Sequence, residues 1–196
     1  MSKTLVFAFG RMNPPTNGHG KLITKVKRLA QQMRADHLII ASHSEDKAKN
    51  PLPVAKKVKH LKSMFPNTNI TNSDRTAPNF IRQLAKLTGK YDHVVMVAGS
   101  DRVNEFQKLL DQYNGKDFTF KSVKCVSAGE RDPDADGVAG ISASKMRLYA
   151  KNNDFTNFKR GLPTGYRGAK SLFNDVRAGM QLKEGVHYTF SSFLRG

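Results

Sequence analysis

The chain has 196 residues, a size for one domain with a small extension, and its formal net charge is +17. Hydrophobic residues make up 38% in short runs, far from the roughly 18 to 20 consecutive apolar residues of a membrane span, so no membrane partner is expected. One cysteine, Cys125, excludes an internal disulfide and a cysteine-based zinc site, and the charge favours anionic partners.

Met1-Ser2-Lys3 leads straight into a strand-like run without the charged start, long apolar stretch or cleavage site of a signal peptide, which predicts a soluble, cytoplasmic protein. Thr4 to Phe9 is β-branched and aromatic and stops at Gly10, as a buried parallel strand does. From Gly18 onward Leu22, Ile23, Val26, Leu29, Ala30 and Met33 recur at helical spacing, so Gly10 to Asn17 is a strand-to-helix loop. The alternation repeats: a strand at His37–Ala41, a helix carrying Val54, Val58, Leu61 and Phe65, and a short strand near Asn69–Thr71. A helix at Ala77–Leu87 and a strand within Tyr91–Ala98 follow, then a helix at Asp101–Tyr113, a strand at Phe118–Val126 and a helix at Ser142–Lys151. Alternation of this kind predicts an α/β fold, a Rossmann-like parallel sheet with helices on both faces. After residue 152 Phe155, Phe158, Leu172, Phe173, Val176 and Met180 read as helical. The expected division is therefore 1–152 for the sheet domain and 153–196 for a helical extension packed on the same unit.

Parallel sheets of this class bind ligands at the carboxyl ends of their strands, and two segments fall there. Gly10-Arg11-Met12-Asn13-Pro14-Pro15-Thr16-Asn17-Gly18-His19 joins the first strand to the first helix. A helix N-terminus offers unpaired N–H groups and a positive dipole end to a phosphate. Gly10 and Gly18 let the backbone come close, Pro14-Pro15 stiffens the loop, and Asn13, Thr16 and His19 offer polar groups. Gly99-Ser100-Asp101 follows the fourth strand; an Asp cap after Gly is also ordinary helix initiation. A third segment, Ile141-Ser142-Ala143-Ser144-Lys145-Met146-Arg147, opens a helix with Ser142 as a cap and sets Ser144 and Arg147 on adjoining positions of one face.

Three other features read as decoys. Asp132-Pro133-Asp134-Ala135-Asp136-Gly137 opens like a calcium loop, but its twelfth position is Ala143 where a bidentate Glu is required. Gly168-Ala169-Lys170-Ser171 mimics a P-loop, yet Ala169 interrupts Gly-Lys and no strand precedes it. His37, His43, His60, His93 and His187 lack metal-ligand spacing. Charge is uneven: residues 1–70 carry 13 Lys+Arg against 3 Asp+Glu, residues 71–144 carry 10 against 10, and residues 145–196 carry 10 against 3. Basic ends suit either a solvated face or a nucleic-acid footprint.

The Thr16-Asn17-Gly18-His19 loop resembles the phosphate-binding signature Thr/His-x-Gly-His of the cytidylyltransferase-like nucleotidyltransferase superfamily. Ile141 to Arg147 resembles its second signature, Ile-Ser-x-Ser/Thr-x-x-Arg. Gly99-Ser100-Asp101 is similar to the Gly-x-Asp turn of nicotinate and nicotinamide mononucleotide adenylyltransferases. The text around Gly129–Asp134 and the tail resembles nucleotidyltransferase-like proteins of tailed bacteriophages, which would place the chain in a host cytoplasm. The resemblance implies that His19, Arg147, Ser144 and Lys57 serve catalysis, with Lys56 or Lys59 as alternative registers for the lysine. It implies nucleotide binding by Gly10, Arg11, Met12, Asn13, Thr16, Gly18, Gly99, Asp101 and Ser142. Nucleoside monophosphate, AMP from ATP ahead of CMP from CTP, would pass to a phosphate-bearing acceptor. Nicotinamide mononucleotide comes first, with pantetheine phosphate and polyol phosphates as alternatives. No protein-held metal is implied; Mg²⁺ would come on the substrate's phosphates. A non-catalytic nucleotide- or nucleic-acid-binding module, or an assembly protein keeping the fold, is the alternative.

Overall fold

A computed structural model describes residues 2–129 and 141–182. Five strands form one parallel sheet: β1 Thr4–Gly10, β2 Asp36–Ala41, β3 Ile70–Asn72, β4 His93–Ala98 and β5 Ser122–Ser127. Their order is β3-β2-β1-β4-β5. The chain winds outward from β1 to β3, then returns to the other side of β1, so β1 and β4 flank the switch point.

The pleat of β1 sorts its side chains between two cores. Val6 and Ala8 join Ile23, Val26 and Ala30 of α1 (Asn17–Met33) and Leu61 of α2 (Val54–Met64). Leu5 and Phe7 face the other way. They pack with Phe80 and Leu84 of α3 (Phe80–Ala85) and Leu110 of α4 (Val103–Tyr113). Helices therefore cover both sheet faces, as expected.

A third core lies among α5 (Ala143–Lys151), α6 (Phe155–Arg160) and α7 (Ala169–Gly179). Met146, Ala150, Phe158, Leu172, Phe173 and Val176 close on Leu52 and on Met64 of α2. This core crosses the expected boundary at 152/153, because α5 buries Met146 and Ala150 against the extension rather than against the sheet. The packing is tight. A Cβ on Gly179 would meet the Pro51 carbonyl oxygen, and one on Gly161 would meet the Met146 sulfur. His60 and Lys56 of α2 add polar ties: His60 Nε2 lies 2.8 Å from Asp175 Oδ2, His60 Nδ1 2.6 Å from the Tyr166 hydroxyl, and Lys56 Nζ 2.6 Å from Asp175 Oδ1.

The fifth strand starts at Ser122 rather than Phe118; Phe118 and Phe120 precede it as buried plugs, 5.5 Å apart between ring centroids, whose alternation with exposed Thr119 imitates a strand. Gly168-Ala169-Lys170-Ser171 is the start of α7, in keeping with its reading as a decoy rather than a phosphate loop. The acidic stretch Asp132–Gly137, most of the Gly129–Asp134 text and His187 lie outside the described residues. Among the described residues no helix is long and apolar enough to cross a membrane.

Candidate functional site

The carboxyl edge of β1 continues into the loop 11–16, and Thr16 stands as the extended N-cap of α1 with φ −141°. His19, the third residue of α1, folds back so that its Nδ1 accepts the Thr16 backbone N–H at 3.0 Å. An acceptor at Nδ1 places the proton of the neutral imidazole on Nε2, a tautomer assigned from this hydrogen bond. His19 thus caps its own helix while presenting a defined ring.

The loop is braced from three sides. The Asn13 side chain makes a buried double hydrogen bond with the Leu52 backbone, 3.0 Å in each direction. The Ser42 N–H donates to the Gly10 carbonyl at 2.8 Å. Asn17 donates from its backbone to the Gly161 carbonyl at 2.9 Å and from its side chain to the Leu162 carbonyl at 3.0 Å, fastening the start of α1 to the end of α6.

Arg147 completes the bracing and adds charge. Its Nη1 donates to the Asn13 carbonyl at 2.8 Å and its Nη2 to Ser144 Oγ at 2.9 Å. Ser142 caps α5 by accepting the Lys145 N–H at 3.2 Å. Burial, then the nearby Arg11 guanidinium, lowers the Arg147 pKa, and Asp46 partly opposes them. Two guanidinium groups close enough to feel one another favour an anion between or beside them. At the end of the neighbouring strand the Asp101 carboxylate lies over Gly99, where a Cβ would approach Oδ1 to 2.7 Å and push the side chain aside.

The structure brings Gly10, Arg11, Thr16, Gly18, His19, Ser144 and Arg147 into one loop-and-helix assembly, with Gly99 and Asp101 on the adjoining strand end. It redirects three expected site residues. The Met12 side chain is buried in the core beneath α1, and the Asn13 side chain is committed to Leu52, so neither side chain is presented at the loop surface. Lys57 does not grip phosphate at the loop surface: it is fully buried under α2, and its ammonium donates to the Ser42 carbonyl. Burial lowers its pKa to about 8, with Glu45 pulling the other way. Lys57 braces the end of β2, which in turn holds Gly10. Sequence reasoning missed Asp46 and Asn17 as site-shaping residues. Asn17 occupies the variable place of its motif, and its partners lie more than 140 residues away in sequence.

An open parallel sheet with a helix-capping Gly-His loop at its switch point, and a second helix delivering arginine to that loop, defines the nucleotidyltransferase class of α/β fold. The cytidylyltransferase-like family matches residues 7–149, and the chain belongs to that family. Among solved structures it is similar to the Plasmodium falciparum nicotinic acid mononucleotide adenylyltransferase complexed with NaAD. That match has a TM-score of 0.55 and 12% identity, and covers 90% of this chain and 97% of that one. It is also similar to a Vibrio parahaemolyticus protein described as a candidate nicotinate-nucleotide adenylyltransferase, with a TM-score of 0.54, 15% identity, and coverage of 88% and 99%. At these identities the likeness is one of fold. No curated protein matches the chain in sequence.

Proposed function

We propose that the protein transfers AMP from ATP to a phosphate-bearing acceptor, with nicotinamide mononucleotide or its acid form as the first candidate, and releases pyrophosphate. The observation that carries this reading is Arg147. One guanidinium binds both the Asn13 carbonyl and Ser144 Oγ, so the two signature segments are built as one site beside Arg11.

The acceptor's phosphate oxygen attacks the α-phosphorus of ATP. A new P–O bond forms while the bond to the bridging α–β oxygen breaks, and pyrophosphate leaves with that electron pair. An acceptor phosphate is already anionic near neutral pH, so the protein's work is positioning and charge stabilisation. His19 Nε2–H and the Gly18 N–H at the start of α1 suit an α- or β-phosphate, and Arg147 with Arg11 suits the departing pyrophosphate. Gly18 supports this placement: a Cβ there would make only ordinary contact, 3.5 Å from Thr16 Oγ1, so protein packing does not demand glycine whereas a closely approaching phosphate does. Mg²⁺ would enter on the triphosphate. Magnesium commonly takes most of its ligands from phosphates and water, which suits entry on the substrate. The acceptor choice rests on Gly99-Ser100-Asp101 and on what the two similar structures are described as using.

The test is product identification by mass spectrometry after incubation with Mg²⁺, either ATP or CTP, and each of nicotinamide mononucleotide, nicotinic acid mononucleotide, pantetheine phosphate and glycerol phosphate. A dinucleotide formed from ATP and a pyridine mononucleotide is expected. Product from CTP alone, or from a non-pyridine acceptor alone, would overturn the substrate assignment.

A further inference from the structure

The basic residues counted in the sequence are segregated by the fold. Helices α1 and α2 lie side by side on the same face of the sheet, and neither contains an acidic residue. On α1 the buried residues Ile23, Val26 and Ala30 set the inward direction; at 100° per residue Lys21, Lys25, Arg28 and Gln32 form the opposite stripe. On α2, with Lys57, Leu61 and Met64 buried, Lys59 and Lys62 point outward and are exposed. None of these five cations has an ion-pair partner among the described residues. The opposite face differs: α4 carries Glu105 and Asp111 with Lys108, and Arg102 before it pairs with Glu105 at 2.8 Å.

The cationic face is also poor in apolar and aromatic anchors. Met33 and Leu148 are the exposed large hydrophobics among the described residues, and only Met33 belongs to these two helices, at the last position of α1. A protein partner usually needs a desolvated apolar or aromatic centre, and an interfacial membrane helix needs an inserting apolar edge. Single-stranded nucleic acid is gripped by stacking on exposed aromatic rings. A rigid, purely cationic surface meets none of these needs but fits the phosphodiester backbone of a duplex.

We propose that the outward face of α1 and α2 binds double-stranded nucleic acid through its phosphate backbone, without sequence preference, independently of the nucleotide site. Five phosphate contacts predict a log–log salt slope of about −4.5, hence about a 500-fold loss of affinity between 50 and 200 mM salt.

The test is fluorescence anisotropy of the full chain with 24-base-pair duplex DNA and duplex RNA of two unrelated sequences each, from 50 to 200 mM salt. A single strand and vesicles with 30% phosphatidylserine serve as competitors. The variant Lys21→Gln/Lys25→Gln/Arg28→Gln should lower affinity at least tenfold at 50 mM salt and shrink the slope by about 2.7, while Lys108→Gln on the opposite face changes neither. Circular dichroism establishes that both variants are folded. Equal binding of both sequences supports the proposal, and the DNA and RNA arms tell which duplex is preferred. The proposal is overturned by any of four results: no duplex binding at 50 mM salt, unchanged binding by the triple variant, stronger binding of the single strand, or binding to vesicles but not to duplex.

Discussion

The turns after β1 and β4 stand side by side at the switch point, yet one is held from afar and the other holds itself. The loop 10–19 is fixed by Leu52, Ser42, Arg147 and the Gly161–Leu162 backbone, drawn from four remote places in the chain. The turn at Gly99 is closed locally, by the Arg102 N–H donating to the Gly99 carbonyl at 3.0 Å, with the Asp101 carboxylate lying over the glycine. A loop braced over such distances ties its geometry to the packing of α5 to α7, whereas a local turn can vary while the braced loop stays intact. The helical layer is thus part of what shapes the loop 10–19.

The largest expected effect comes from removing donors at the braced loop. Arg147→Ala and His19→Ala should each lower kcat by about a hundred- to a thousandfold, the usual cost of losing one preorganised donor, with thermal melting shifted by only a few degrees. Asn13→Ala sharpens the contrast. It leaves the buried Leu52 N–H and carbonyl without their partner, which should cost about 3 kcal/mol and lower Tm by about 6 to 12 °C in a chain of this size, with kcat falling as the loop loosens. At the local turn Gly99→Ala must displace the Asp101 carboxylate, so it should raise the acceptor KM at least tenfold while Tm moves by less than about 3 °C. Equal thermal losses from Asn13→Ala and Gly99→Ala would erase the distinction.

Smaller effects follow from the supports. In Asp175 burial raises the carboxyl pKa, but hydrogen bonds from Lys56 and His60 outweigh it and hold the value below the usual range. Its contribution to stability is present above the unfolded carboxylate pKa and is lost as pH falls below it. Asp175→Asn should cost about 1 kcal/mol at neutral pH, read as a Tm drop of about 2 to 4 °C, and less in acid. Lys57 works with the opposite sign. Its pKa falls from 10.5 to about 8 on folding, so below 8 the cost of burying the charge is present in full. Between 8 and 10.5 the unfolded chain binds more protons, and stability from this group rises with pH. Lys57→Met should flatten that rise in urea melts taken across the same interval.

Local pattern made much of this legible in the sequence. The alternation of strands and helices, both signature segments and the Ser142 cap follow from neighbours within a few residues of one another, and periodicity and capping chemistry report such neighbours. Lys57 was not legible, because a lysine one helical turn from Leu61 looks exposed or buried according to what packs above it. The Asn13–Leu52 and Asn17–Leu162 ties join residues 39 and 145 apart, and no local spacing encodes them. Phe118 and Phe120 imitate a strand's alternation while serving as plugs before β5. The charge count revealed basic ends, but only the shared sheet face of α1 and α2 turned that count into a surface.

The most direct test of the central claim is acceptor-dependent pyrophosphate release by the folded wild type, His19→Ala and Arg147→Ala, measured side by side with ATP, Mg²⁺ and the acceptor that gives product. Robust release by the wild type and a loss of about a hundredfold or more in each variant are expected. Wild-type rates in either folded variant would contradict the claim.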